Sequence, residues 1–161
     1  MATPTYDLLD SVTLASSASS VTFSSIDQSY GDLIVVFNGT FASFSSPALR
    51  FNGDTGSNYS YVYMQKFGTG TNSNSGTTDR AWMNSSNYDT GIGQTIFQIF
   101  DYSATNKHKS LLVRDSTSRE INGVTAYAVR WANASAVSSL EVLTYNTFQA
   151  GSTFYLYGIE K

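Results

Sequence analysis

The sequence predicts an all-β protein, a sandwich or barrel of short strands. Its polar residues are mainly Ser, Thr, Asn and Gly, and charged residues make up only 13% of the chain, against about 25% in an ordinary globular domain. Aromatic residues reach 14%, and Thr, Tyr, Phe and Val suit the half-buried surface of a sheet. Short stretches that alternate apolar and polar residues recur along the chain between Gly, Asn and Ser turns, which is typical of strands.

The length favours a single domain over residues 1–161. A chain of 161 residues buries enough surface to form a core without disulfides or a structural metal. We find no internal repeat and no linker that would divide it. The sequence contains no Cys, so disulfide and thiolate chemistry are excluded.

About eight to eleven short strands are expected from the pattern. Val21 and Phe23 alternate with hydroxyl residues, whereas the continuous apolar stretch Leu33–Phe37 is typical of a strand covered on both faces. Further strands are expected at 48–51, 59–67, 80–83, 94–102, 109–115, 123–131, 138–145 and 153–159. The predicted core comprises Val21, Phe23, Leu33, Val35, Phe37, Phe97, Ile99, Leu111, Val113, Val142, Phe154 and Leu156.

Two segments lack this pattern. Residues 68–78 contain only Gly, Ser, Thr and Asn, which bury too little apolar area to offset their ordering entropy, so we expect a flexible loop there. Residues 1–5 include one of the two prolines and show no alternation. We expect them to form an extended arm, which can add to the sheet edge of a neighbouring copy.

Charge and hydropathy exclude several partners. The net charge is −3 and the pI about 4.9, and the cationic cluster Lys107–Lys109 is small, so we expect no nucleic-acid partner. We interpret that cluster as a solvated turn between two strands. The sequence contains no apolar stretch of the ~20 residues that span a bilayer, and we expect no membrane partner.

The residue types that most often act in catalysis are scarce in this sequence. His108 is the only histidine, and the lysines on both sides favour an exposed ring over a triad member. The glutamates Glu120, Glu141 and Glu160 are scattered, and Glu141 alternates with apolar neighbours, so we expect it in solvent. The sequence therefore predicts no catalytic residue, and we expect that the protein is not an enzyme.

The richest oxygen cluster is the loop that begins at Asn52. Asn52, Asp54 and Asn58 are candidate calcium ligands, but a strong calcium loop carries several carboxylates and a bidentate Glu. We favour a loop closed by Asx side chains, with Gly53 and Gly56 at positive φ. We expect no metal and no cofactor, although the sequence leaves a weak calcium site at this loop open.

Tyr59, Tyr61 and Tyr63 alternate along one predicted strand. Such a stripe either packs across neighbouring strands or presents aromatic rings to a protein partner or a sugar. Cross-strand packing is the favoured interpretation, and the interface is the alternative.

Several segments resemble virion structural proteins of tailed bacteriophages. The resemblance is carried by Ser20–Ile26, Tyr30–Leu33, Phe51–Ser60 and Ala150–Ile159, and it extends from about Tyr6 to Lys161. It implies a jelly-roll-like β-sandwich, often trimeric, with no catalytic element.

Within this family the short chain, from Met1 to a closing strand, suits a freestanding capsid decoration (cement) protein better than a tail fibre. The implied partners are the major capsid protein and copies of the protein itself, as a homotrimer. The implied location is the surface of a virion assembled in the bacterial cytoplasm. The alternative is a carbohydrate-binding receptor module of a tail or head fibre, with a host surface glycan as partner. Candidate interface residues are Met1, Ala2, Thr3, Pro4, Thr5, Tyr6, Tyr59, Tyr61 and Tyr63.

Overall fold

The computed structural model describes residues 5–43, 45–82, 91–117 and 124–161. They form a sandwich of two antiparallel sheets, and these residues contain no helix. The prediction of an all-β, jelly-roll-like sandwich is confirmed.

The larger sheet has eight strands and the smaller has four. The larger sheet, in spatial order, is β1 (Tyr6–Thr13), β12 (Thr153–Ile159), β3 (Asp32–Gly39), β8 (Gly93–Phe100), β9 (Lys109–Thr117), β10 (Val124–Trp131), β5 (Tyr59–Phe67) and β6 (Gly70–Thr78). The smaller sheet is β2 (Ala18–Phe23), β11 (Leu140–Phe148), β4 (Ala48–Phe51) and β7 (Ala81–Trp82).

The core lies between the two sheets, where the predicted alternation places it. Every residue of the predicted core is buried, at 7% relative exposure or less. The centre is a cluster of aromatic rings contributed by both sheets. Phe37 of β3 and Phe154 of β12 meet Phe148 of β11, with ring centroids 5.0 to 5.2 Å apart. At the other end Phe51 of β4 packs edge-on against Trp131 of β10 at 5.2 Å.

Two strands were not expected from the sequence. Residues 68–78 do not form a loop, because Gly70–Thr78 is the edge strand β6, paired with β5 along its whole length. Its side chains bury little, so backbone hydrogen bonds and the ring of Tyr61 hold it in place. A Cβ on Gly76 would lie 2.9 Å from the Tyr61 hydroxyl. The other strand is β1, which begins at Tyr6 and pairs with β12.

The strand β3 differs from its prediction in one respect. Leu33, Val35 and Phe37 are buried in the core, but Ile34 and Val36 are only partly buried on the other face. The residues that the structure describes form a second layer on one side of the large sheet only. The apolar stretch therefore marks a strand that this fold covers on a single face.

Truncating a ring of the central cluster tests this core. We expect Phe154→Ala to lower the free energy of unfolding by about 3–5 kcal/mol, because it removes a fully buried ring and leaves a cavity. Chemical denaturation followed by circular dichroism measures the change. Tyr155→Ala is the matched control on the opposite face of the same strand, and an equal loss in both variants would contradict the assigned core.

Candidate functional site: the outer face of the large sheet

The large sheet has an inner face, which packs on the core, and an outer face, which faces away from it. Because successive side chains of a strand point to opposite faces, the unburied positions of each strand define the outer face. In β10, for example, Tyr127 and Val129 are buried, whereas Ala126, Ala128 and Arg130 are exposed.

The strand register arranges the outward side chains in rows across all eight strands. One row contains Leu8, Tyr157, Ile34, Gln98, Leu112, Ala128, Val62 and Ser75. The next contains Ser11, Tyr155, Val36, Ile96, Arg114, Ala126, Met64 and Ser73. These rows make a continuous surface in which apolar and aromatic side chains predominate, because neighbouring strands are only about 4.8 Å apart.

Most of the exposed large apolar side chains of the described residues lie on this outer face. They are Tyr6 (56% exposed), Leu8 (55%), Val62 (51%), Met64 (68%), Leu112 (48%) and Val124 (58%). A contiguous exposed apolar patch on a folded chain marks an interaction site more often than a free surface.

The cationic side chains of the outer face lie on one half of it. Lys66, Arg114 and Arg130 lie on β5, β9 and β10, whereas the β12 half carries the stacked rings of Tyr155 and Tyr157, 6.3 Å apart. At the β6 side, Met64, Lys66 and Val124 line a shallow hollow of about 490 Å³. Tyr, Met and Arg are the residue types enriched at the centres of protein interfaces. The composition of this face is typical of a protein interface.

The tyrosine stripe lies on the inner face of the sheet, as the favoured interpretation of cross-strand packing requires, and the alternative of an exposed interface at these three tyrosines is corrected. Tyr59 and Tyr63 are buried, and Tyr61 is partly buried against the core. Tyr63 packs on Tyr127 with centroids 5.0 Å apart, so cross-strand packing is the observed role. Burial raises the pKa of Tyr59 to about 12, and its hydroxyl accepts the amide of Phe51 at 3.0 Å.

The other candidate interface residues lie at the N-terminus. Met1 to Pro4 fall outside the described residues. Thr5 is exposed and precedes β1. Tyr6 is exposed on the outer face, at the first position of β1.

The loop from Asn52 to Asn58 is closed by its own side chains. The Asp54 carboxylate accepts hydrogen bonds from Trp131 Nε1 at 2.7 Å, from Asn58 Nδ2 at 2.9 Å and from the Gly56 amide at 2.9 Å. Burial alone would raise the pKa of Asp54, but these three donors outweigh it and lower the pKa. Asn52 Oδ1 accepts the amides of Ser138 and Ser139.

The backbone of this loop departs from one expectation. Gly53 has a positive φ of 68°, as predicted, but the other left-handed residue is Asn52, with φ 51°, and not Gly56. A glycine is needed at position 56 for space, because a Cβ there would lie 2.8 Å from Asn58 Nδ2.

The basic cluster is only partly a solvated turn. Lys107 and His108 are exposed, but Lys109 is fully buried at the start of β9. Its ammonium donates to the carbonyls of Ala104, Lys107 and Ala134 at 2.7, 3.0 and 3.3 Å. Burial, and then the charge of Lys107, lowers the pKa of Lys109. The three carbonyls explain how a strand can begin on a buried lysine.

The two glutamates within the described residues do not form a catalytic pair, because Glu141 lies on β11 of the small sheet and Glu160 directly follows β12 of the large sheet. Glu141 is partly buried and pairs with Arg50 at 2.9 Å, which corrects its expected position in solvent. Asp79 lies 3.5 Å from the same guanidinium and 2.6 Å from Arg80. The hydrogen bond from Arg80 lowers the pKa of Asp79 to about 2. Glu160 is exposed near the C-terminus, and Glu120 lies outside the described residues.

The described ranges contain no group of three His, Cys, Asp or Glu side chains close enough to hold a metal ion. In the same part of the chain, no helix is long and apolar enough to cross a membrane.

Comparison with known proteins finds likeness of architecture. No family model matches the chain, and no curated protein matches it. Among solved structures, a galectin of Caenorhabditis elegans has a TM-score of 0.38 at 10% identity, covering 94% of this chain and 96% of the galectin. A tetrameric galectin of the ball sponge Cinachyrella has a TM-score of 0.36 at 14% identity, covering 88% and 99%.

A third similar structure is an alginate lyase of Aplysia kurodai, with a TM-score of 0.33 at 9% identity, covering 83% of this chain and 71% of the lyase. At such low identity and TM-score, the likeness concerns the β-sandwich alone.

The exposed apolar residues of the outer face, including Val62, Met64 and Leu112, are not predicted from the sequence. The sequence does contain a sign of them, which is the run of apolar residues at consecutive positions in Leu111–Val113 and Tyr61–Met64. In a strand such a run places apolar side chains on both faces, here of β9 and β5. The sequence alone does not say which of the two faces this chain covers.

Removing the Asp54 carboxylate tests the closure of the loop. We expect Asp54→Ala to lower the free energy of unfolding by about 2 kcal/mol, because Trp131 Nε1 loses its acceptor. We expect EDTA to leave the melting temperature of the parent protein unchanged, since NH donors surround the carboxylate. A melting temperature that falls by several degrees in EDTA, recovers with calcium, and loses this response in Asp54→Ala would overturn this account of the loop.

Proposed function

We propose that this protein is a non-catalytic structural protein of a bacteriophage particle, a capsid decoration protein that binds the assembled head. In this proposal the outer face of the large sheet contacts the major capsid protein. The observation that carries the proposal is the concentration of exposed apolar and aromatic side chains on that one face. The sequence resemblance to virion structural proteins supplies the identity of the partner.

The size of the outer face suits a stable protein contact. Eight strands about 4.8 Å apart, with four outward residues each, make a surface of roughly 35 by 20 Å, or about 700 Å². A standard interface buries about 800 Å² per partner. The area of one outer face therefore approaches that of a specific protein interface.

The composition of the face suits a cement role. Its charged side chains are Asp32, Lys66, Arg114 and Arg130, and Asp32 is already engaged by the amide of Asp101 at 2.8 Å. Few charged side chains therefore have to be desolvated when this face is covered, and burying charges is the costliest part of desolvation. Binding across neighbouring capsid subunits would add contact area between them and so offset the internal pressure of packaged DNA.

A carbohydrate-binding receptor module is the second candidate. The stacked pair Tyr155 and Tyr157 favours it, because aromatic rings present an apolar face to sugars. Gln98, whose side chain also points outward, adds an amide for hydroxyl groups. The homotrimer that the resemblance implies stays a prediction, as does the part played by the N-terminal arm.

Copy number on purified particles tests the proposal. A decoration protein is expected in hundreds of copies, in a fixed ratio to the major capsid protein, whereas a fibre module is expected in few. Quantitative mass spectrometry of particles from the bacteriophage that encodes this chain measures the ratio. A low copy number at the tail would reject the capsid role and favour the receptor module.

A charge placed on the outer face tests the docking surface. We expect Leu112→Lys to reduce occupancy on particles at least tenfold, because it puts an ammonium at the centre of the apolar rows. Thr22→Lys is the matched control, since Thr22 is exposed on the small sheet, on the opposite side of the sandwich. Binding of both variants to particles depleted of this protein is measured by sedimentation. Equal loss of binding, or no loss in Leu112→Lys, would contradict the assigned face.

A further inference from the structure

Each sheet of the sandwich ends in edge strands, and these edges are protected to different degrees. Natural proteins shield an edge with charges, prolines, bulges or short strands, because unpaired backbone groups recruit other chains. The edge strand β1 has a bulge between Leu8 and Asp10 and carries the carboxylates of Asp7 and Asp10. In the small sheet, β7 has two residues, and β2 pairs regularly with β11 only over Ser20–Phe23.

The edge strand β6 has none of these protections. It is nine residues long, with no charged residue and no proline in Gly70–Thr78. Its register with β5 continues without a shift from Phe67–Gly70 to Tyr59–Thr78. Nearly all of its residues are exposed. Among the described residues no strand pairs with the other side of β6, so by the rules that apply to the other edges it is an open template for another strand.

The direction of the backbone groups shows which positions of β6 are available. The amide of Ala132, which directly follows β10, donates to the carbonyl of Asn58 at 2.7 Å. The backbone N–H and C=O groups of even-numbered β5 residues therefore point to β10, and those of odd-numbered residues point to β6. In the observed register, the odd-numbered residues of β5 lie opposite the even-numbered residues of β6, so the backbone groups of those β6 residues form the hydrogen bonds to β5. Consistently, the Ser75 amide turns away from β5 and donates to Asn74 Oδ1 at 2.7 Å. Thr71, Ser73, Ser75 and Thr77 present their amides and carbonyls to the open edge.

We propose that two copies of this protein pair through β6, antiparallel, about a two-fold axis that passes beside Asn74. This axis places Ser73 opposite Ser75 of the second copy and Thr71 opposite Thr77. Every outward N–H group at the four positions then donates to a carbonyl of the second copy, and every outward carbonyl accepts an N–H from it. The Ser75 amide exchanges its bond to Asn74 Oδ1 for one to the second copy. Cross-strand pairs of Ser and Thr are favourable, and no like charges meet along either strand.

The second copy is the occupant that the edge fits best. An isologous contact closes on itself after two copies and leaves no open β6 edge. Two strands of nine residues pair over about 30 Å, which buries far less than the roughly 800 Å² per partner of a stable interface. The dimer is therefore weak in free solution and depends on concentration.

The geometry of the pair has a consequence for the proposed function. Antiparallel strands of one continuous sheet are related by an axis perpendicular to the sheet, so both outer faces point to the same side. Two docking faces on one particle surface bind with an effective concentration in the millimolar range for the second contact. The pair itself does not rest on the proposed function, because it forms without a capsid.

Cysteine cross-linking tests the pair, and the absence of native Cys makes it specific. Across the proposed axis Asn74 faces Asn74 of the second copy in a non-hydrogen-bonded pair, with Cα atoms about 4.5 Å apart, which is within disulfide range. We expect Asn74→Cys to form a reducible dimer of twice the 17.5 kDa chain mass under mild oxidation. Sedimentation equilibrium of the parent protein should show a mass that rises toward the same value with concentration.

Two further variants serve as controls. Thr71→Cys lies on the same exposed strand, but the two copies of residue 71 would be about 20 Å apart, so it should not cross-link. Ser73→Pro combined with Asn74→Cys removes an outward amide that β5 does not use, and it should prevent cross-linking while circular dichroism stays unchanged.

Three results would overturn the pair. The first is equal cross-linking of Asn74→Cys and Thr71→Cys. The second is no cross-linking of Asn74→Cys together with a parent protein that stays monomeric at every concentration. The third is a trimeric mass of the parent protein without the Asn74→Cys cross-link. None of these results depends on particle binding. High copy number on particles together with any of them would leave the proposed function standing and reject the β6 pair alone.

Discussion

The structure depends on aromatic packing between its two sheets. Phe148 at the end of β11 fits between Phe37 and Phe154 of the large sheet, and Phe51 meets Trp131 at the other end of the core. These contacts determine which face of every strand is inside. A slip of one residue in any of these strands would exchange its two faces, so the rings at both ends hold the register of the strands between them.

This choice of inner face leaves the outer face of an eight-stranded sheet without a layer of its own in the described residues. Four strands of the small sheet cannot cover eight, and the inner side of β5 and β10 is closed by Tyr63 and Tyr127, whose rings pack on each other. The tyrosines thus complete the core, and the exposed apolar side chains of Val62, Met64 and Leu112 remain on the opposite side. The exposed apolar face is a consequence of how the core is formed.

Much of this architecture follows from sequence. Alternation identifies the core residues Val21 and Phe23 of β2, because buried and outward positions differ in polarity there. Alternation fails where both faces are apolar, as at Ile34 and Val36, because it does not show which face the chain covers. It also fails at β6, whose side chains bury little and which is held by backbone pairing with β5. Tyr59 and Tyr63 share a face, as predicted, but only the three-dimensional register shows that this face is the inner one.

The outer face and the open edge of β6 share a low density of charged side chains. In a chain with few charged residues, the carboxylates Asp7 and Asp10 lie on the edge strand β1, where they discourage pairing. Arg50, Asp79 and Glu141 neutralise one another beside the small sheet. Charge is sparse on the apolar rows and missing from Gly70–Thr78. Since uncharged surface lowers solubility unless something covers it, the apolar face and the open edge are the two surfaces for which we propose partners.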